Sequence, residues 1–161
     1  MYLLDANVLI TAKNSYYAFD RVPEFWEWLL HWAERSAVKI PLEILEEIVG
    51  GTDDLAQWLG DKDNRNALCL EEEADVGRVQ DVLANGYGND LTNAEIIKIG
   101  RDPFLISYDV RTVITTEVSK PAAQRANRRI PDVCNQMHVT WGDSFLLIRD
   151  LNFSTKWRDR I

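Results

Sequence analysis

Met1-Tyr2-Leu3-Leu4-Asp5-Ala6-Asn7-Val8-Leu9-Ile10 opens the chain and decides how the rest is read. A short apolar run ends on an acid, Asp5. Asn7 follows, and a second apolar run begins at Val8. Tyr2 to Leu4 is predicted as a buried strand, and a carboxylate in such a setting is costly to hold unless something pairs with it. In an open α/β sheet, sites are built at the carboxyl ends of the strands. Asp5 is therefore expected to be a site residue. Its alternative use is to cap the following helix through its side chain.

Outward from this strand, apolar β-branched runs alternate with helical periodicities. Phe25, Trp26, Leu29, Leu30 and Ala33 recur at helical spacing after Pro23, which predicts a helix over 23–36. Its tryptophan-rich face (Trp26, Trp28, Trp32) is assigned to core rather than to base stacking. Val38 to Ile40 is a predicted strand. Pro41 opens a helix that Gly50-Gly51 stops, and Asp53-Asp54 leads a short one. Residues 61–66 are expected to be a polar loop, and Glu71-Glu72-Glu73 the first turn of a helix running to Leu83. Asn85 to Asn89 is a predicted loop. Thr92 caps a helix through Ile99, with Glu95 at capping-box spacing. Asp102 is expected as the N-cap of a short helix with Pro103 at its first position. Thr112 to Thr115 is a strand that stops at Thr116 and Glu117. Residues 118–129 form a polar, basic loop, Pro131 a turn or short helix, and His138 to Trp141 a last strand. Asp143 opens a closing helix. This alternation predicts an α/β fold, a mostly parallel central sheet flanked by helices, with right-handed crossovers placing the strand ends on one edge.

The 161 residues suit one domain with a real core, here 1–150, followed by a basic C-terminal tail, 151–161. No apolar run approaches the roughly 18 residues of a membrane span, and the first ten residues lack a signal-peptide pattern. Cys69 and Cys134 have neither CxxC nor zinc spacing, so two free thiols and a cytoplasmic location are expected. The net charge of −8 argues against a nucleic-acid partner, but it is unevenly spread: the first hundred residues carry −11 and the remainder +3. Lys120, Arg125, Arg128 and Arg129 fall close together, consistent with a local basic surface beside an acidic site or with a solvated loop.

Three acids occupy equivalent places in the predicted order. Asp5 ends the first strand, Glu117 ends the strand over 113–115, and Asp102 caps the helix that feeds that strand. The helix after the second strand offers Glu43, Glu46 and Glu47. Glu43 and Glu47 share a face. Carboxylates gathered at one sheet edge repel, and protons or a hard cation must compensate. Oxygen-only ligands suit magnesium or manganese rather than zinc. A divalent ion held by few carboxylates keeps waters and can activate one toward a phosphodiester. His31 and His138 are then free to be structural.

The spaced segments Leu-Leu-Asp5-Ala-Asn7, Ile-Leu-Glu46-Glu47-Ile, Asp102-Pro-Phe-Leu-Ile-Ser and Val-Ile-Thr-Thr116-Glu117 resemble the PIN domain family, in VapC-like form, over about residues 1–150. Thr-Thr-Glu117-Val-Ser-Lys120-Pro followed by Arg-Ile-Pro131-Asp132-Val-Cys134 resembles a prokaryotic PIN-like subfamily of unassigned function. The resemblance implies a three-layer sandwich, an acid cluster binding Mg2+ or Mn2+, and cleavage of RNA. It implies that Asp5, Glu47, Asp102 and Glu117 are catalytic and metal-binding, with Glu43 in reserve for Glu47. Asn7 is implied to orient Asp5 or a metal water, and Thr116 to hydrogen-bond the site. Glu117 departs from the pattern, since an Asp is usual there. The connection Tyr108-Asp109-Val110-Arg111 looks shortened, with Asp109 expected in a surface turn. The role of Asp132 is left open, with a turn or helix cap as the default.

The leading expectation is a metal-dependent endoribonuclease, the toxin of a type II toxin–antitoxin pair, with Lys120, Arg125, Arg128 and Arg129 contacting the RNA backbone. An RNA substrate, a cognate antitoxin protein and a homodimer are the expected partners. The alternative is a catalytically silent PIN-like binding module. A phosphoacceptor role for Asp5 ranks last, because an Asp-x-Asp pattern would need an acid where Asn7 stands.

Overall fold

Four short strands, β1 (Tyr2–Leu4), β2 (Val38–Lys39), β3 (Thr112–Ile114) and β4 (Trp141–Gly142), lie in the order β2-β1-β3-β4, all parallel. The structure is a computed structural model and describes residues 1–160. Tyr2 stands opposite both Val38 and Thr112, Leu4 opposite Ile114, and Ile114 opposite Gly142. A parallel sheet covered on both faces demands apolar side chains throughout. Accordingly Leu3, Leu4, Val38, Val113 and Ile114 are fully buried. The flanking helices complete an α/β three-layer sandwich. They are α1 (Ala6–Thr11), α2 (Pro23–Glu34), α3 (Leu42–Val49), α4 (Asp54–Gly60), α5 (Lys62–Leu68), α6 (Val76–Asp81), α7 (Asn93–Ile99), α8 (Asp102–Ile106), α9 (Ile130–Met137) and α10 (Ser144–Asp150).

The order of the strands matters for function. From β1 the chain moves outward to β2, then crosses back to place β3 on the other side of β1. The gap between the carboxyl ends of β1 and β3 is thus the topological switch point, where open α/β sheets bind ligands.

The tryptophan-rich face of α2 is core, as expected. Trp26 and Trp28 are buried, and their indole N–H groups donate to the carbonyls of Tyr17 (2.7 Å) and Leu151 (3.1 Å). The capping box of α7 forms between Thr92 and Glu95. Other expectations fail for local reasons. Residues 61–66 are not a loop: Asp61 accepts from the backbone N–H groups of Asp63 and Asn64, and this cap starts α5 despite the polar composition. Glu71 to Glu73 precede any helix, because Asp75 caps α6 later. The expected loop at 85–89 begins as a π-helical extension of α6, Val82–Tyr87. The last strand is shorter and later than 138–141. His138 adopts left-handed backbone (φ 58°) to end α9, and only Trp141 and Gly142 join the sheet.

The basic C-terminal stretch does not form a separate tail. A 3-10 turn, Trp157–Arg160, buries Trp157 with its ring 4.8 Å from His31 of α2, and Arg158 pairs with Glu27 at 2.7 Å. No helix among the described residues is long and apolar enough to cross a membrane.

Candidate active site

Asp5 follows β1 directly and is 4% exposed. Its carboxylate does not cap α1. Instead Thr115 Oγ1 donates to Asp5 Oδ2 at 2.8 Å, and Asn7 Nδ2 approaches the same oxygen at 3.4 Å. The sheet dictates this pairing. Leu4 stands opposite Ile114, so the next residues, Asp5 and Thr115, meet at the switch point, where the Asp5 N–H donates to the Ile114 carbonyl at 2.9 Å. Burial raises the Asp5 carboxyl above its ordinary value, and the Thr115 hydrogen bond partly offsets this. The side chain expected to support the site was Thr116. It is Thr115, which directly follows β3 and is fully buried, whereas Thr116 is half-buried. Thr115 Oγ1 also accepts the Glu117 N–H at 3.1 Å.

Asp102 is the first residue of α8 rather than its cap, which falls to Arg101. Its carboxylate is thereby free of the helix N–H groups. Tyr87 Oη donates to Asp102 Oδ2 at 3.3 Å. Burial, then the charges of Asp5, Glu117 and Glu47, push the Asp102 carboxyl up to about 7. Asp102 in turn raises the Tyr87 phenol, which burial has already shifted upward, and adds to the burial that pushes the Cys134 thiol up to about 12. The four acids expected at the site therefore act on one another electrostatically.

Glu43 and Glu47 act on different groups. Glu47 is exposed and its charge acts on Asp102. Glu43, one turn earlier, acts on Tyr108 and Cys69, and its Oε2 is buried without a partner. Glu46 is exposed. Glu117 lies at the expected place after β3, but both of its oxygens are engaged. Oε1 accepts from Arg129 Nη1 at 2.9 Å and Oε2 from the Ile130 N–H at 2.8 Å. Among the described residues, no group of three or more acids, histidines or cysteines stands close enough to hold a metal ion.

Of the four acids, Asp102 and Glu117 line a cleft of about 350 Å³, together with Tyr87, Lys98, Lys120 and Arg129. A larger concavity of about 570 Å³ lies between α2 and the C-terminal turn. Its Asp150 bonds Tyr2, at the opposite end of β1 from Asp5, so it is remote from the acid cluster. The smaller cleft is the one with the chemistry.

The four basic residues of 118–129 separate into different roles. Arg125 is spent on Glu95 and Asp90. Arg128 lines the cleft, but its guanidinium bonds the carbonyls of Gly86 and Asp132 and the Gln136 side chain. Arg129 pairs with Glu117, and Lys120 is exposed at the cleft wall. Asp132 is buried, and its carboxylate accepts from Ser119 Oγ (2.5 Å) and the Lys120 N–H (2.7 Å), pinning the start of the loop to α9. Asp109 sits in a surface turn, paired with Arg78. His31 packs against Trp32 and Trp157. Sequence reasoning missed Tyr87, Thr115 and Lys98. Tyr87 and Thr115 carry no motif, and only the position of Thr115 directly after β3 could have singled it out.

A parallel α/β sandwich with interacting carboxylates at its switch point is the class that fold and site define. The chain belongs to the family described as Domain of unknown function (DUF4411), whose model matches residues 2–155. No curated protein and no solved structure matches it.

Proposed function

We propose that this protein is a Mg2+- or Mn2+-dependent endoribonuclease of PIN type. The observation that carries the proposal is the buried Asp5 carboxylate at the switch point, held by Thr115 at 2.8 Å, with Asp102 held by Tyr87 in the adjoining cleft and Glu117 and Glu47 adding charge to it. Anionic oxygens crowded at a strand-end cleft repel, and a hard divalent cation relieves that repulsion. The donor set fits such an ion: it is oxygen-only and negatively charged. Asp5 and Asp102 would hold it, with the exposed Glu47 a further acid whose charge acts on Asp102. When bound, the ion supplies a Lewis acid for phosphodiester hydrolysis. Thr115 and Asn7 hold the Asp5 carboxylate in place, and Tyr87 holds Asp102. Lys120, Lys98 and Arg129 offer positive charge to substrate phosphates along the cleft.

The test is cleavage of a mixed RNA pool with Mg2+, Mn2+ or EDTA, comparing wild type with Asp5→Asn. Metal-dependent cutting that the variant loses while staying folded is the expected result. Cutting that persists in the variant would sink the mechanism. The finer proposal, a toxin restrained by a cognate antitoxin in the cytoplasm, rests on the resemblance alone. It predicts growth arrest on expression, relieved by co-expressing the neighbouring reading frame.

A silent binding module is the second reading. It is favoured by the engagement of both Glu117 oxygens and by the absence, among the described residues, of three acids within reach of one ion. Calorimetric titration with Mn2+ separates the two, since a silent module need show no saturable site.

A further inference from the structure

We infer that Glu117 is not a metal ligand but the anchor that presents Arg129, and that Arg129 and Lys120 together form the phosphate-binding part of the cleft that Asp102 also lines. The inference rests on the nuclease proposal and divides the labour within that site.

A carboxylate that ligates a hard cation does so through an oxygen lone pair, and both Glu117 oxygens already spend one on a protein donor. Oε2 takes the N–H of Ile130, the first residue of α9, and Oε1 takes Arg129 Nη1 at 2.9 Å. Its own N–H is fixed by Thr115 Oγ1, so the backbone below the side chain is held too. The extra methylene of Glu over Asp has a purpose here: it carries the carboxylate across from the end of β3 to the start of α9. The Glu117 side chain is 18% exposed and the Arg129 side chain 40%. The anchor is thus the sheltered partner, and the guanidinium is the open one. Arginine presents several N–H groups in a fixed fork, so one nitrogen can stay on Glu117 while others meet a phosphate.

Lys120 reaches the same wall by a second tether. Asp132, in the first turn of α9, accepts from the Lys120 N–H and from Ser119 Oγ, so the loop leaves β3 along a defined path. The Lys120 side chain has no ion-pair partner among the described residues, unlike Arg125. Of the four cations that crowd the sequence here, Arg125 and Arg128 are thus structural, and two are left for a ligand. Two cations in one cleft with the half-buried Asp102 suit the backbone of a single-stranded nucleic acid rather than a lone carboxylate metabolite.

The test uses the full chain with Glu117→Gln, Arg129→Ala and Lys120→Ala. Gln keeps an oxygen for the Ile130 N–H but loses the charge that holds Arg129, and thermal unfolding checks that each variant folds. Mn2+ affinity is read by calorimetry. Affinity for a fluorescent single-stranded oligonucleotide is read by anisotropy in EDTA across a salt series. Glu117→Gln should keep Mn2+ affinity within about twofold. It should weaken the oligonucleotide about tenfold, as Arg129→Ala does, and the double variant should be no worse than Arg129→Ala alone. Arg129→Ala and Lys120→Ala should each reduce the slope of log affinity against log salt by about 0.7, one phosphate contact on a single strand. A tenfold loss of Mn2+ affinity in Glu117→Gln, or an unchanged salt slope in Arg129→Ala, overturns the inference while the nuclease proposal stands. A wild type that binds neither Mn2+ nor the oligonucleotide overturns both. Should Glu117→Gln fail to fold, the salt slopes of Arg129→Ala and Lys120→Ala decide.

Discussion

Asp102→Asn should stabilise the metal-free protein at neutral pH, and the effect should vanish in acid. Asp102 has its carboxyl raised from 3.8 to about 7, by burial first and then by Asp5, Glu117 and Glu47. Below 3.8 the carboxyl is protonated in both folded and unfolded chains and contributes nothing. As pH rises from 4 toward 7, the unfolded chain releases the proton while the folded chain keeps it. Stability is therefore lost across that window, and the full penalty is in place above 7. A shift of about three units at 1.36 kcal/mol each gives an upper bound of about 4 kcal/mol. The side chain is only partly shielded from solvent, so about 2 kcal/mol is the expected gain once water and relaxation are allowed for. Asn removes the charge and keeps an oxygen for Tyr87 Oη. In a chain of this size about 2 kcal/mol corresponds to roughly 4–8 °C in Tm. The assay is thermal unfolding in EDTA at pH 4, 5, 6, 7 and 8. The variant should exceed wild type by that margin at pH 8 and equal it at pH 4. An Asp102→Asn protein less stable than wild type at pH 8, or a gap independent of pH, would refute the electrostatic account of the site.

Two further substitutions test the structure without any ligand. Thr115→Val leaves Asp5 without its donor and the Glu117 N–H without its acceptor in a fully buried position. It should cost about 2 kcal/mol by urea unfolding, whereas Thr116→Val should fall within about 0.5 kcal/mol. Equal effects at the two threonines would contradict the register of β3. Trp157→Ala removes a buried ring from the α2 face and should cost about 3 kcal/mol. A loss under about 0.5 kcal/mol would mean that the C-terminal turn is not part of the core.

The sites of Asp5, Asp102 and Glu117 were legible because each lies beside a short apolar run or a Pro-marked helix start. The sheet was legible for the same reason, since parallel strands must be apolar on both faces. Helix α5 was not, because a polar run capped by Asp61 looks like a loop until Leu68 is seen to be buried. Asp102 was misplaced by one residue, and the difference is functional: a cap would have tied its carboxylate to backbone N–H groups, whereas the first helical residue leaves it to the cleft. The basic cluster shows the limit most clearly. Four cations close in sequence looked like one surface, yet Arg125 and Arg128 are consumed by Glu95, Asp90, Gln136 and backbone carbonyls up to 42 residues away.

By itself, then, the sequence determined which acids end which elements and that those elements alternate, because apolar periodicity and caps are local properties. Tertiary structure alone decided that β3 lies beside β1, which makes their ends a switch point. It also decided that Thr115 rather than Thr116 supports Asp5, and that Glu117 is bound to Arg129. Strand order, inward direction and the partner of a charge depend on packing between segments far apart in the chain, and no local pattern encodes them.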